Sequence, residues 1–324
     1  MAEKDYIAMW FNVRKPYGIS DTVYWGWYDP ATKDIDWKTW QHADADGMIG
    51  FTNILRPMGY PCYPLPVCNE TSVPSWREIR KAQKEFGQPP AANQVKWKQT
   101  YPCVYSPNDT FMPEVRSFSE EDTQKLKAWC KENKVSFGNL VYATMSKVVS
   151  ARMIEGGEPF SWFFPVNVRG ATGIKTESFN QASGIYIEVN KNSEPQDWQA
   201  QMRLRLKSKE QWKNWKLANI GKYVGERGVA LIYKLTSGKQ FYAGNCSNLG
   251  EWPLPGQDNP PRPDHRVLAA VAPGTANYPI SGTTLEWYGQ LTLTFKMHPY
   301  VCDSQELIAE LADAWYEALM GYIR

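Results

Sequence analysis

Nine prolines fall between Gly59 and Pro113, at positions 61, 64, 66, 74, 89, 90, 102, 107 and 113. Proline locks φ and has no N–H, so it continues neither a helix interior nor a central strand. The stretch therefore reads as a connector that wraps over the surface or crosses between lobes, with room for one helix, Ser75 to Phe86. It sets off a first part, residues 1–115, from a longer second part, residues 116–324. A chain of 324 residues exceeds what a single core usually holds, which agrees with two lobes.

Ahead of the connector, Tyr6 to Val13 and Asp21 to Tyr28 are rich in aromatic and β-branched residues and are separated by Lys15-Pro16-Tyr17-Gly18. That pattern predicts two short strands of a meander. In Asp34 to Gln41, Ile35 and Trp37 alternate with polar neighbours, which predicts a strand leading directly into His42. Trp10, Trp25, Trp27, Trp37 and Trp40 are available to fill a core or to line a pocket for a ring-containing ligand.

Beyond the connector, Ser119 precedes three acids and Ser136 precedes a broad apolar face, so two helices are expected. Phe160 to Val168 and Gly184 to Val189 read as strands. Asp197 to Leu217 reads as one long amphipathic helix whose basic run, Arg203 to Lys216, forms a solvated face. Three more strands, Val267 to Val271, Gly282 to Tyr288 and Gln290 to Lys296, precede a closing helix from Ser304 to Met320. Helices and strands mixed in this way predict an α/β (α+β layered) fold with mixed sheets.

Charge excludes some functions. Lys plus Arg total 36 and Asp plus Glu 34, a net +2 that gives no reason to expect nucleic acid. The six cysteines form no C-x-x-C pair and no disulfide framework, so they are expected to be reduced. No stretch approaches the ~20 apolar residues of a membrane span, and the first residues lack an apolar signal region. A cytoplasmic protein is expected. Metal-ligand spacing, a phosphate-binding glycine loop and a G-x-S-x-G elbow are all missing from the sequence.

Histidine occurs three times, at 42, 265 and 298. His265 lies in a proline-rich loop and His298 precedes Pro299, so both are expected to be structural or exposed. His42 stands in Gln41-His42-Ala43-Asp44-Ala45-Asp46-Gly47, with a carboxylate four residues later and a glycine after it. An imidazole near neutrality can take a proton from a hydroxyl or amine as it attacks a carbonyl.

This H-x-x-x-D-G pattern resembles the signature of the chloramphenicol acetyltransferase and condensation-domain superfamily of acyltransferases. Later segments resemble that superfamily in order. They are Val135-Ser136-Phe137-Gly138-Asn139-Leu140, Phe164-Pro165-Val166-Asn167-Val168-Arg169, Cys246-Ser247-Asn248-Leu249-Gly250 (taken as a turn), and Gly289 to Phe295. The resemblance implies two lobes with a tunnel between them and an acyl group moved from a CoA or carrier-protein thioester to a small-molecule acceptor. No bound cofactor is implied; the thioester is a co-substrate. It further implies His42 as general base and Asp46 as a structural residue paired with Arg169. Gly47 is expected to permit a tight turn, and Ser247, Asn248, Gln41 and Gly47 to border the substrate.

The sequence also departs from that pattern. Gln41 stands where condensation domains carry a second histidine, and the D-F-G-W-G motif of the plant branch is missing. The stretch ahead of His42 is short, so a second copy or a partner chain completing the first lobe is expected, or else a reduced lobe. Two other readings fit the same residues: a small-molecule cyclase of secondary metabolism that needs no acyl donor, and a non-catalytic aromatic-rich binding module.

Overall fold

A computed structural model describes residues 4–17, 19–88, 94–102, 110–176, 178–236 and 242–324. Pro89, Pro90, Cys103 and Pro107 lie outside the described residues.

The first element corrects the sequence expectation. Tyr6–Asn12 is a helix, α1, because Asp5 caps it: its carboxylate accepts from the N–H groups of Ile7 and Ala8 at 2.9 and 3.0 Å. The aromatic content that suggested a strand instead gives α1 a face for packing. Strand β1 (Thr22–Tyr28) and the short β2 (Lys38–Gln41) follow, then α2 (Gly47–Leu55), which starts immediately after the His42 loop. In the proline-rich connector, α3 (Trp76–Phe86) forms behind a capping box made by Ser75 and Glu78, and β3 (Lys96–Trp97) is minimal.

The longer part begins with β4 (Glu114–Ser117), then α4 (Glu120–Glu132) and α5 (Phe137–Met153), capped by Ser119 and Ser136. Next come β5 (Ile154–Gly156), β6 (Phe160–Asn167) and β7 (Ala182–Val189). The single long helix expected next is two helices, α6 (Pro195–Lys207) and α7 (Glu210–Ala218). Lys209 between them is left-handed, with φ of 58°, and this breaks the helical hydrogen-bond run. Within the basic run Arg205 is buried, bonded to the Gln88 carbonyl at 2.6 Å, so that face is not wholly solvated. Helix α8 (Gly221–Thr236) has no counterpart in the sequence reading. Strands β8 (Gly244–Trp252), β9 (Val267–Val271), β10 (Ile280–Trp287) and β11 (Gln290–Met297) lead to α9 (Gln305–Met320).

Six strands form one mixed sheet in the order β4-β11-β10-β8-β6-β7, and three form another in the order β2-β1-β9. Helices α4, α5 and α9 pack with the large sheet around Leu126, Leu140, Phe295 and Trp315. The small sheet and α2 meet the large one around Phe51, Trp252, Leu268 and Trp287. Because β9 belongs to the small sheet, the boundary at residue 115 does not divide the two sheets from each other. Among the described residues no helix is long and apolar enough to cross a membrane, and Cys62, Cys68, Cys130, Cys246 and Cys302 are free thiols.

Gly244 lets β8 and β10 approach closely. A Cβ there would stand 2.1 Å from the Ile280 carbonyl oxygen and 2.8 Å from the Trp162 ring. Backbone cannot yield as a flexible side chain can, so Gly244→Ala is expected to destabilise the fold by about 2 kcal/mol or more in denaturant titration. Unchanged stability would show that the strands can move apart freely.

Candidate active site

Strands β6 and β8 are paired at two positions, Trp162 opposite Gly244 and Phe163 opposite Asn245. Past that point β6 stays paired with β7, while β8 stays paired with β10. Pro165 contributes to this divergence, since it has no N–H to give to β8. Two cavities open at the split. The first, about 120 Å³, is bordered by Trp40, Met48, Asn167, Arg169 and Asn248, and the second, about 210 Å³, by Phe11, Arg14, Phe163 and Tyr278. His42, Pro165, Ser247 and Ala272 border both. His42 thus sits where the two spaces meet.

The His42 loop is fastened at several points. Its own N–H donates to the Asp21 carbonyl at 2.9 Å, and the Ala43 N–H donates to the Asp21 carboxylate at 2.8 Å. The Phe11 ring stacks on the imidazole with centroids 4.5 Å apart and planes 22° from parallel. Nδ1 lies 3.1 Å from Asn180 Oδ1. The neighbours of Asn180 settle which proton is where. Its Nδ2 donates to Asp5 at 2.8 Å, and a carboxylate only accepts, so Oδ1 faces His42. His42 must then donate from Nδ1, leaving the Nε2 lone pair free to accept a proton.

Burial lowers the His42 pKa from its usual 6.5, and the Arg14 charge adds to this; Asp46 and Asp21 act in the opposite direction. The imidazole is therefore neutral at neutral pH.

Asp46 is almost wholly buried and fully engaged. Oδ1 accepts from the Met48 and Ile49 N–H groups at 3.1 and 3.2 Å, capping α2. Oδ2 accepts from the Gln181 N–H at 2.9 Å and from Arg169 Nη2 in a buried ion pair. Gly47 has a different use from the tight turn expected of it. It is the first residue of α2, and a Cβ there would stand 2.5 Å from Leu249 Cδ2, so glycine serves close packing. Gln41 reaches back to Thr22 Oγ1 at 3.4 Å and borders neither cavity. Ser247 and Asn248 lie inside strand β8 rather than in a turn. Ser247 is buried between the cavities, whereas Asn248 is exposed and its Oδ1 accepts from the Gly250 N–H at 2.9 Å.

Away from the site, His265 is exposed and bonded to Asp29 at 2.9 Å, and His298 is buried with Nδ1 accepting from the Tyr300 N–H at 3.1 Å. Sequence reasoning missed Asp5, Phe11, Arg14 and Asn180. Asp5 carried a readable signal, an acidic residue at a helix N-cap, once α1 is recognised as a helix. Among the described residues no cluster of His, Cys, Asp and Glu could hold a metal ion.

No family model and no curated protein matches the chain. Solved structures do. The cyclization–docking bidomain of the EpoB nonribosomal peptide synthetase from Sorangium cellulosum superposes with a TM-score of 0.52 at 12% identity, over 89% of this chain and 60% of that one. The epimerization domain from the third module of tyrocidine synthetase B gives 0.48 at 10%, over 88% and 68%. The trichothecene 15-O-acetyltransferase of Fusarium sporotrichioides gives 0.43 at 11%, over 76% and 52%. The chain has a condensation-domain-like fold, with mixed sheets and a histidine between two cavities. It spans 60% of the bidomain's length.

Removing one partner of a buried ion pair leaves the other charge uncompensated. Asp46→Asn, which strands Arg169, is expected to cost about 3 kcal/mol in chemical denaturation. A loss below ~1 kcal/mol, the usual range of an exposed pair, would mean that Arg169 finds other compensation.

Proposed function

We propose that the chain is an acyltransferase that uses His42 Nε2 as general base. The observation that carries this reading is the tautomer fixed by Asn180 and Asp5, which presents a free lone pair where two cavities meet. In this reading a CoA or carrier-protein thioester enters one cavity, and a hydroxyl- or amine-bearing small molecule enters the other. Nε2 takes the acceptor proton as the oxygen or nitrogen attacks the thioester carbonyl. A tetrahedral intermediate forms, the carbon–sulfur bond breaks, and His42 returns its proton to the departing thiolate, which leaves as the thiol and restores the neutral imidazole. Ser247 is the buried polar group bordering both spaces and is suited to donate a hydrogen bond to the intermediate's oxyanion. The fold shared with a cyclization–docking bidomain of a nonribosomal peptide synthetase is in keeping with this reading, and a thioester donor and a carrier protein as partner belong to the same proposal.

Thiol release from a panel of acyl-CoA thioesters in the presence of alcohols and amines tests the reading. His42→Ala should lower turnover by about 10²-fold or more while the circular dichroism spectrum stays unchanged. Full activity in that variant would remove His42 from the chemistry. Product formation without any thiol release would point instead to a cyclase.

The pH profile gives an independent check. The reactive form is the neutral imidazole, and burial lowers its pKa, so the rate should hold as pH falls to the usual histidine value of 6.5 and drop only below it. An acid limb centred above 6.5 contradicts the assignment.

A further inference from the structure

Arg14 follows α1 and borders the second cavity together with Phe11, Phe163 and Tyr278. Its guanidinium carries a charge that no ion pair among the described residues matches. Nε is buried with no hydrogen-bond partner, and none of the ion pairs or side-chain hydrogen bonds among the described residues includes Arg14. The guanidinium lies over the Phe11 ring, 4.7 Å from its carbon to the centroid, and the same ring stacks on His42 at 4.5 Å. Asp21 is the nearby acid and its charge acts on Arg14; its Oδ2 is taken by the Ala43 N–H, its Oδ1 is buried without a hydrogen-bond partner, and it forms no ion pair with Arg14 among the described residues. Tyr233 and Tyr278 are the other titratable groups that face it. Burial opposes the charge and lowers the Arg14 pKa, so an incoming anion would relieve a standing electrostatic deficit.

We propose that the second cavity binds a small aromatic carboxylic acid, its carboxylate held by the Arg14 guanidinium and its ring set against Phe11, Phe163 and Tyr278. Arginine's planar fork matches a carboxylate with two parallel N–H···O bonds, and three aromatic side chains favour a flat partner. Tyr278 is itself immobilised, stacked on Tyr242 at 4.9 Å and hydrogen-bonded to Tyr186 at 3.0 Å, so this wall is built before the ligand arrives. Arg14 and His42 both lie against the Phe11 ring and both border this cavity, so an acid seated on Arg14 shares the cavity with the imidazole. The inference goes beyond acyl transfer and concerns binding alone, so it stands or falls separately from the reaction.

The test compares 3-phenylpropanoate with its neutral isostere 3-phenylpropanamide by isothermal titration calorimetry at pH 7.5, with no thioester present. The acid should bind about ten-fold more tightly or better, the scale of a charge-assisted pair. Arg14→Gln should erase that preference while leaving the weaker amide affinity unchanged, and Arg14→Lys should recover part of it. Equal binding of acid and amide by the unaltered protein, no binding of the acid at millimolar concentration, or a preference surviving in Arg14→Gln would each overturn the proposal. Should Arg14→Gln fail to fold, the acid–amide comparison on the unaltered protein decides the question.

Discussion

The site depends on the carboxylate of Asp46. A charge this deeply buried is tolerable only when its oxygens are saturated, and here four donors reach it: two from the first turn of α2, one from the Gln181 backbone and one from Arg169. These donors come from two separate stretches of chain. One is the helix that opens after the His42 loop, and the other is the connection between β6 and β7. The neighbour of Gln181 is Asn180, which holds the His42 ring. Two adjacent residues of one connection thus fix both ends of the motif, the aspartate by backbone and the histidine by side chain. Asp46 places the loop that carries His42.

His42 is held in its protonation state and orientation by its surroundings. Burial favours the neutral ring, with Arg14 adding to it, while the carboxylates of Asp46 and Asp21 pull the other way without overcoming it. Asn180 and Asp5 decide which nitrogen carries its proton. The opening beside His42 comes from the backbone, through the two-residue pairing of β6 with β8 and the proline that follows. Burial sets the protonation state, and strand geometry determines access.

Much of this was legible in the sequence where the signal is local. Ser75, Ser119, Ser136 and Ser304 each mark a helix start, because a cap is a contact spanning three residues. His42, Asp46 and Gly47 fall within six residues and read as a motif. What stayed hidden is long-range or lacks a marker. Asn180 reaches His42 across 138 positions and Asp5 across 175, which no spacing rule can reveal. The break at Lys209 carries no glycine to announce its left-handed backbone. Helix α1 looked like a strand because its aromatic residues fit either period in so short a segment.

The small sheet has a further consequence for how the protein acquires its site. Strand β1, whose neighbour Asp21 holds the His42 loop, is sandwiched between β2 and β9, and β9 begins at Val267. Until that late strand has left the ribosome, β1 has its short hairpin partner but not its long one, and a two-stranded hairpin is only marginally stable. The loop carrying His42 is made early and seated late. Closing a span of more than two hundred residues also costs loop entropy before the pairing compensates, so this step is suited to be the slow one in folding. A nascent chain lacking its last quarter would hold every residue of the H-x-x-x-D-G motif and still lack the sheet that seats His42.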